Sequence, residues 1–289
     1  MQSNGLALID EAVRRYNPRA VFALFSGGHD SLTATHIASG HPAFTGAAHM
    51  NTGIGIKETR EFVRATCARN GWMLEERSAA DCGQVYRDLV IEHGFPGPGH
   101  HYKMYQRLKE RPLRSLIRDY KTHVSDRILL VSGCRSQESV RRMGHVEPIQ
   151  HEGAYVWVAP IHDWSKVQCN EYIREHGLER NPVVDLLHMS GECLCGAYVD
   201  QTRTVGPRTD EFRQIEEWFP AATEEIKGIE REVLAAGKPW LWDDERPPEW
   251  YQDAKRGQTF AFQMDDTESK MMMCQSCEKR AEEEDDATE

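Results

Sequence analysis

"FALFSGGHDSLTATH", residues 22–36, decides the reading of this chain. The apolar run 20–25 reads as a buried strand, and a helix is expected from about Ser31. Between them lie Ser26, Gly27, Gly28, His29 and Asp30. Paired glycines let backbone N–H groups approach an anion closely, and the N-terminus of the following helix adds partial positive charge. The hydroxyls of Ser26 and Ser31 can donate to the same anion. The stretch therefore predicts a phosphate site at a strand-to-helix turn, although the Walker spacing G-x-x-x-x-G-K-[ST] is absent. Asp30 has two readings. It could help hold Mg²⁺ beside a bound phosphate, or it could cap the start of the helix. His29 can touch phosphate when protonated.

Outward from this turn, helices alternate with strands. "GAAHM" (46–50), "WMLEERSA" (72–79), "RILLVSG" (127–133) and "YVWVAPI" (155–161) read as strands. "KETREFVRATCARNG" (57–71) reads as a helix with Phe62, Val63 and Cys67 on one face and Gly71 as its stop. Ser165 and Gln168 have capping-box spacing and open a helix to about His176, in which Cys169 falls on the apolar face. This alternation predicts an α/β fold with a mostly parallel, doubly wound sheet covered on both faces. A Gly/Pro/His loop at 94–102 interrupts it, followed by a helical stretch in which Pro112 fits a first turn. The alternation stops after Asn181. A boundary is expected near residue 188, with a nucleotide-binding domain over 1–188. A small helical, cysteine-containing subdomain should occupy 189–280, with helices near 210–219 and 221–236. An acidic disordered tail is expected over 281–289.

The net charge of −11 argues against non-specific nucleic-acid binding by the whole surface. That average hides the segment from Lys103 to Lys121, which carries seven Lys/Arg against two acids. Lys103, Arg107, Lys109, Arg111, Arg114 and Arg118 could track a phosphodiester backbone, or could be a solvated helix face. No apolar stretch approaches the roughly 20 residues of a membrane span. The N-terminus has no apolar region ending at a cleavage site, so a cytoplasmic protein with no membrane partner is expected. Eight cysteines in a chain of this length do not suggest a secreted disulfide framework. Cys193 and Cys195 form C-x-C, and Cys274 and Cys277 form C-x-x-C. Together they supply four thiolates, enough for an iron–sulfur cluster or a structural zinc.

The hexamer Ser26-Gly27-Gly28-His29-Asp30-Ser31 resembles the SGGxDS loop of the PP-loop ATP pyrophosphatases. Three later blocks resemble the branch that contains the phosphoadenosine phosphosulfate (PAPS) reductases: "HMNTGIGIKETREFV" (49–63), "GCRSQESVRR" (133–142) and "PIHDWSKVQCNEYIREHGLERNP" (160–182). The resemblance covers roughly residues 18–196 and implies an adenine nucleotide alpha hydrolase-like fold. It implies that Met50, Asn51 and Thr52 hold adenosine, and that Gly133, Arg135 and Glu138 lie at the nucleotide. Arg135 with Arg141 or Arg142 would then clamp phosphate or sulfate oxygens in bidentate fashion, with surface ion pairs to Glu138 and Glu147 as the alternative.

Two enzyme classes share this plan. The E-C-G-L-H cysteine motif of PAPS reductases is absent, and the loop keeps both glycines and the aspartate. The expectation is therefore an AMP-forming ATP pyrophosphatase that activates an acceptor for sulfur transfer, with ATP, Mg²⁺ and a 4Fe–4S cluster (alternatively Zn²⁺). The iron–sulfur pyrophosphatases of tRNA thiolation and DNA phosphorothioation are similar in plan. They imply a DNA or tRNA acceptor and a sulfur donor such as a cysteine desulfurase. A small-molecule acceptor, a homodimer, a PAPS or APS reductase forming sulfite, and a non-catalytic nucleotide-binding module remain alternatives.

Overall fold

The computed structural model describes residues 2–94, 96, 101–136, 147–196 and 207–238. In chain order the elements are α1 (Gln2–Tyr16), β1 (Ala20–Leu24), α2 (His29–Ser39), β2 (Phe44–Asn51), α3 (Lys57–Asn70) and β3 (Leu74–Ser78). A 3₁₀ turn (Ala80–Cys82), α4 (Tyr86–His93) and α5 (His101–Tyr105) follow. A π-helical stretch (Gln106–Glu110) runs straight into α6 (Arg111–Tyr120). Then come β4 (Ile128–Val131), β5 (Ile149–Glu152), β6 (Tyr155–Val158), α7 (Lys166–Glu175), α8 (Pro182–Leu187), α9 (Pro207–Trp218) and α10 (Pro220–Ala235).

Six strands form one sheet in the order β3-β2-β1-β4-β6-β5. Every pairing is parallel except that of β5 with β6. The α/β architecture with a mostly parallel sheet is thus as expected. The antiparallel edge strand β5 was not expected, because its half-exposed "IQHE" lacks the apolar run that marks a buried strand.

Alternation along β1 and β4 divides the core between two faces. Val21, Ala23, Leu129 and Val131 pack with Ile9 of α1, Ile37 of α2 and Tyr172 of α7. Ala20, Phe22, Ile128 and Leu130 pack with Leu113, Leu116 and Ile117 of α6. Helices therefore cover both faces, as a parallel sheet requires. Cys169 is fully buried on the first face. Gly71 ends α3 with φ +68, and Ser165 caps α7 in a reciprocal capping box with Gln168. Both match the sequence reading.

A further cluster joins Tyr86 and Leu89 of α4, Leu108, Val183 of α8, Leu194, Ile215 of α9 and Ile226, Ile229 and Val233 of α10. Leu187 and Met189, on either side of residue 188, belong to this cluster. The tail over 281–289 lies outside the described residues.

Candidate active site

Strand order reverses between β1 and β4, since the chain leaves β1 to build β2 and β3 on one side and returns to β4 on the other. In open α/β sheets the crevice at the carboxyl ends of such strands receives the ligand. The predicted loop lies there. Gly28 is the N-cap of α2, which begins at His29, two residues earlier than expected. Gly27 has φ +84, and a Cβ on it would come within 2.8 Å of the Thr59 methyl, so only glycine fits. Ser31 donates its hydroxyl to the Gly28 carbonyl (2.9 Å), and the Ser26 and Ser31 hydroxyls lie 3.2 Å apart.

The block that begins at Gly133 meets this loop from β4. A Cβ on Gly133 would lie 2.7 Å from the Asp30 carbonyl carbon and the Ser31 nitrogen. That contact lets Arg135 reach Asp30, where Nε lies 3.1 Å from a carboxylate oxygen with both side chains buried. Asp30 and Arg135, expected separately from the sequence, are thus one buried ion pair at the start of α2. A single carboxylate beside an anion site fits Mg²⁺, which is usually held by one or two carboxylates plus substrate phosphates. Arg141, Arg142 and Glu138 lie outside the described residues.

Several positioning residues escaped the sequence reading. Asn181, fully buried, donates its amide to the Gly27 carbonyl (2.9 Å) and accepts from the Val183 N–H as the N-cap of α8. Its Asn-Pro dipeptide is an ordinary helix-start signal, which gives no hint that the side chain also braces the loop. Thr59 donates to the Ser190 carbonyl. Arg180 reaches His29, with Nη2 3.3 Å from Nδ1, and is itself held by Asp185 and Asn170. The Arg180 hydrogen bond keeps the Asp185 carboxyl below its ordinary value.

Residues 50–52 are fixed by contacts within the chain. Met50 is buried in the core under α6. The Asn51 side chain donates to Glu76 (2.8 Å) and accepts from the Gly53 N–H (3.0 Å). Thr52 is held by Glu192: its N–H donates to the carboxylate (3.0 Å) and its hydroxyl to the Glu192 carbonyl (2.8 Å).

Through Glu192, the C-x-C segment is fastened to the 49–63 block. The Ile56 N–H donates to the Gly191 carbonyl, and the Leu194 N–H to the Ile54 carbonyl. A Cβ on Gly55 would lie 2.1 Å from the Glu192 oxygen, so the two backbones are in direct contact. Cys193 is partly buried and Cys195 buried. A hydrogen bond from Cys195 keeps the Cys193 thiol below its ordinary value of 9.0, the Lys109 ammonium adds to this, and burial opposes it. Cys274 and Cys277 lie outside the described residues. Among the described residues no group of three or more His, Cys, Asp or Glu side chains could hold a metal. The donors present fit half of a four-thiolate site.

Lys109 needs correcting as a backbone-tracking residue. It is buried, with its ammonium 3.1 Å from Glu192, because the π-helical stretch turns it inward. Arg111, Arg114 and Arg118 of α6 and Lys103 are exposed, and Arg107 is half-buried.

A strand-to-helix phosphate loop at the switch point of a mostly parallel sheet defines a nucleotide-binding α/β protein of the PP-loop, adenine nucleotide alpha hydrolase-like class. Residues 20–195, more than half of the chain, match the family model of the phosphoadenosine phosphosulfate reductase domain, and the chain belongs to that family. No curated protein matches it. A PAPS reductase from Candida auris, solved with phosphate, is 16% identical over 63% of this chain and 84% of its own, with a TM-score of 0.49. An NH₃-dependent NAD synthetase from Campylobacter jejuni, solved with nitrate, is 16% identical over 83% and 96%, with a TM-score of 0.44. An FMN adenylyltransferase from Candida glabrata, solved with FAD and pyrophosphate, is 12% identical over 60% and 55%, with a TM-score of 0.42. No described helix is long and apolar enough to cross a membrane.

Proposed function

We propose that this protein is an AMP-forming ATP pyrophosphatase that activates an acceptor for sulfur transfer. The observation that carries the reading is the complete loop, Ser26 to Ser31, with the Asp30–Arg135 pair at its helix start. An acceptor oxygen attacks the α-phosphorus of ATP, the bond to the bridging oxygen breaks, and pyrophosphate leaves. A sulfur nucleophile then displaces AMP from the adenylated acceptor. The loop and the N-terminus of α2 cradle the phosphates, and Arg135 balances charge that builds on the departing oxygens. Mg²⁺, held by Asp30, would neutralise the pyrophosphate.

Cys193 and Cys195 would supply two of four thiolates to a 4Fe–4S cluster or a zinc ion, with Cys274 and Cys277 as the other two. Such a group would fix the C-terminal segment or carry sulfur. The hydrogen bonds between residues 52–56 and residues 191–194 support this reading, since they hold the C-x-C segment against the 49–63 block.

The acceptor reading rests on exposed Arg111, Arg114 and Arg118 with Lys103, which fit a nucleic-acid backbone. The deciding experiment measures pyrophosphate and AMP from ATP and Mg²⁺, using anaerobically purified protein with and without DNA or tRNA. PAPS plus a dithiol is run in parallel. Pyrophosphate release stimulated by one nucleic acid is the expected result. Sulfite from PAPS with no pyrophosphate from ATP would overturn the reading in favour of a reductase.

A further inference from the structure

Gly28 is a glycine that the fold itself does not require. Its backbone is extended, with φ −75 and ψ 157, a conformation open to any residue. A Cβ there would meet nothing closer than 3.6 Å, an ordinary contact. Its neighbour Gly27 differs, since φ +84 and the Thr59 methyl at 2.8 Å exclude a side chain. A bare Cα with room in front of it, at the start of a helix, lets an anion approach the backbone closely.

Three serines surround that space. The atoms nearest to a Cβ on Gly28 would be Ser26 Oγ at 3.6 Å, Ser190 Cβ at 3.8 Å and Ser31 Oγ at 3.8 Å. Two of the hydroxyls are committed within the loop. Ser31 gives its one proton to the Gly28 carbonyl (2.9 Å), so in the 3.2 Å contact between Ser26 and Ser31 it is Ser26 that donates.

Ser190 comes from a distant part of the chain. It is only 7% exposed, and its hydroxyl makes no hydrogen bond among the described residues. Buried hydroxyls are normally paired. One left facing a bare glycine at a helix start points to a partner that a ligand supplies.

Its placement is fixed from several sides. Asn181, the N-cap of α8, braces Gly27 through its amide. Past the end of α8 the chain returns to the same loop at Ser190. Thr59 of α3 donates to the Ser190 carbonyl. Gly191 has φ +63, and a Cβ there would lie 2.6 Å from Ile56 Cδ1, so the turn that follows needs glycine. The Ile56 N–H donates to the Gly191 carbonyl (2.7 Å). All of this bracing uses the backbone of residues 190 and 191, and none of it uses the Ser190 side chain.

We propose that Ser190 is a phosphate-binding residue, whose hydroxyl donates to an oxygen of the phosphoryl group seated over Gly28. The inference deepens the proposed function and rests on its nucleotide half alone, that the loop from Ser26 to Ser31 holds phosphate. The contact joins the nucleotide to the C-x-C segment, since Cys193 follows three residues later.

The test is Ser190→Ala, which removes the hydroxyl and keeps the carbonyl that Thr59 uses. AMPCPP binding with Mg²⁺ is measured by titration calorimetry on the full chain, and thermal unfolding is followed with and without AMPCPP. The variant should bind AMPCPP about tenfold or more weakly than the parent chain, the ordinary effect of losing a hydrogen bond to a charged group. Without nucleotide the two chains should melt together, because the hydroxyl bonds to nothing among the described residues. The rise in melting temperature that AMPCPP produces should be smaller in the variant.

Equal affinity for AMPCPP overturns the proposal. So does a lower melting temperature of the variant without nucleotide, which would make the hydroxyl part of the fold. Where the parent chain prefers PAPS, the same tenfold loss is expected with PAPS as the probe. A parent chain that binds neither nucleotide overturns the loop reading and the proposal with it. Pyrophosphate release by the parent chain tests the activation reading separately, so the two can fail independently.

Discussion

The phosphate loop and the Thr52–Glu192–Lys109 cluster are built in opposite ways. Most of the loop's geometry is set within six residues: a glycine at φ +84, a serine bonded back to Gly28, and the helix that starts at once. The cluster gathers three distant pieces of chain around one buried carboxylate, which takes a backbone N–H from Thr52 and an ammonium from Lys109. A site that needs a backbone shape can be encoded locally. A site that needs a buried charge neutralised depends on partners brought together by the fold.

Four measurements sharpen that contrast. Asp30→Asn keeps the side-chain shape at the loop and removes its charge. Turnover should fall by about 10²-fold or more while the circular dichroism spectrum is kept, and full activity would exclude a catalytic Asp30. In the cluster, Glu192→Ala should act on stability, with no direct effect on the reacting groups. It leaves the Lys109 ammonium buried without its carboxylate, a loss of about 3–5 kcal/mol in urea unfolding. The double variant Lys109→Met, Glu192→Gln should recover much of this, and no recovery would mean that the pair is not what Glu192 contributes.

Gly133→Ala tests a long-range brace of the loop. A Cβ 2.7 Å from backbone of Asp30 and Ser31 must displace the start of α2, costing about 1–3 kcal/mol and weakening AMPCPP binding. The smallest effect lies away from both sites. Burial keeps the His36 imidazole below its ordinary value of 6.5, and the nearby His176 adds to this. Since the unfolded chain binds this proton more readily, the contribution is fully present above pH 6.5. It is lost as pH falls below 6.5 through the lower folded value. Thermal unfolding of His36→Gln should show a shallower loss between pH 7 and 5 than the parent chain, and parallel curves would exclude His36 as the source.

Sequence alone determined the α/β class and the mostly parallel sheet, because apolar runs and 3.6-residue periodicity report burial directly; the strand order and its switch point came from the tertiary fold. Sequence also determined the glycine turn into α2, the capping box of α7 and the burial of Cys169, each written in residues a few positions apart. It did not determine the edge strand β5, whose half-exposed residues carry no periodic signal. Nor could it place Lys109. In a basic run that residue reads as one more surface charge, and only the π-helical turn and Glu192 bring it inside. Asn181 and the place of Ser190 beside Gly28 were settled the same way. A side chain's polarity is written in the sequence, but its partner is chosen by packing between segments that only the tertiary fold brings together.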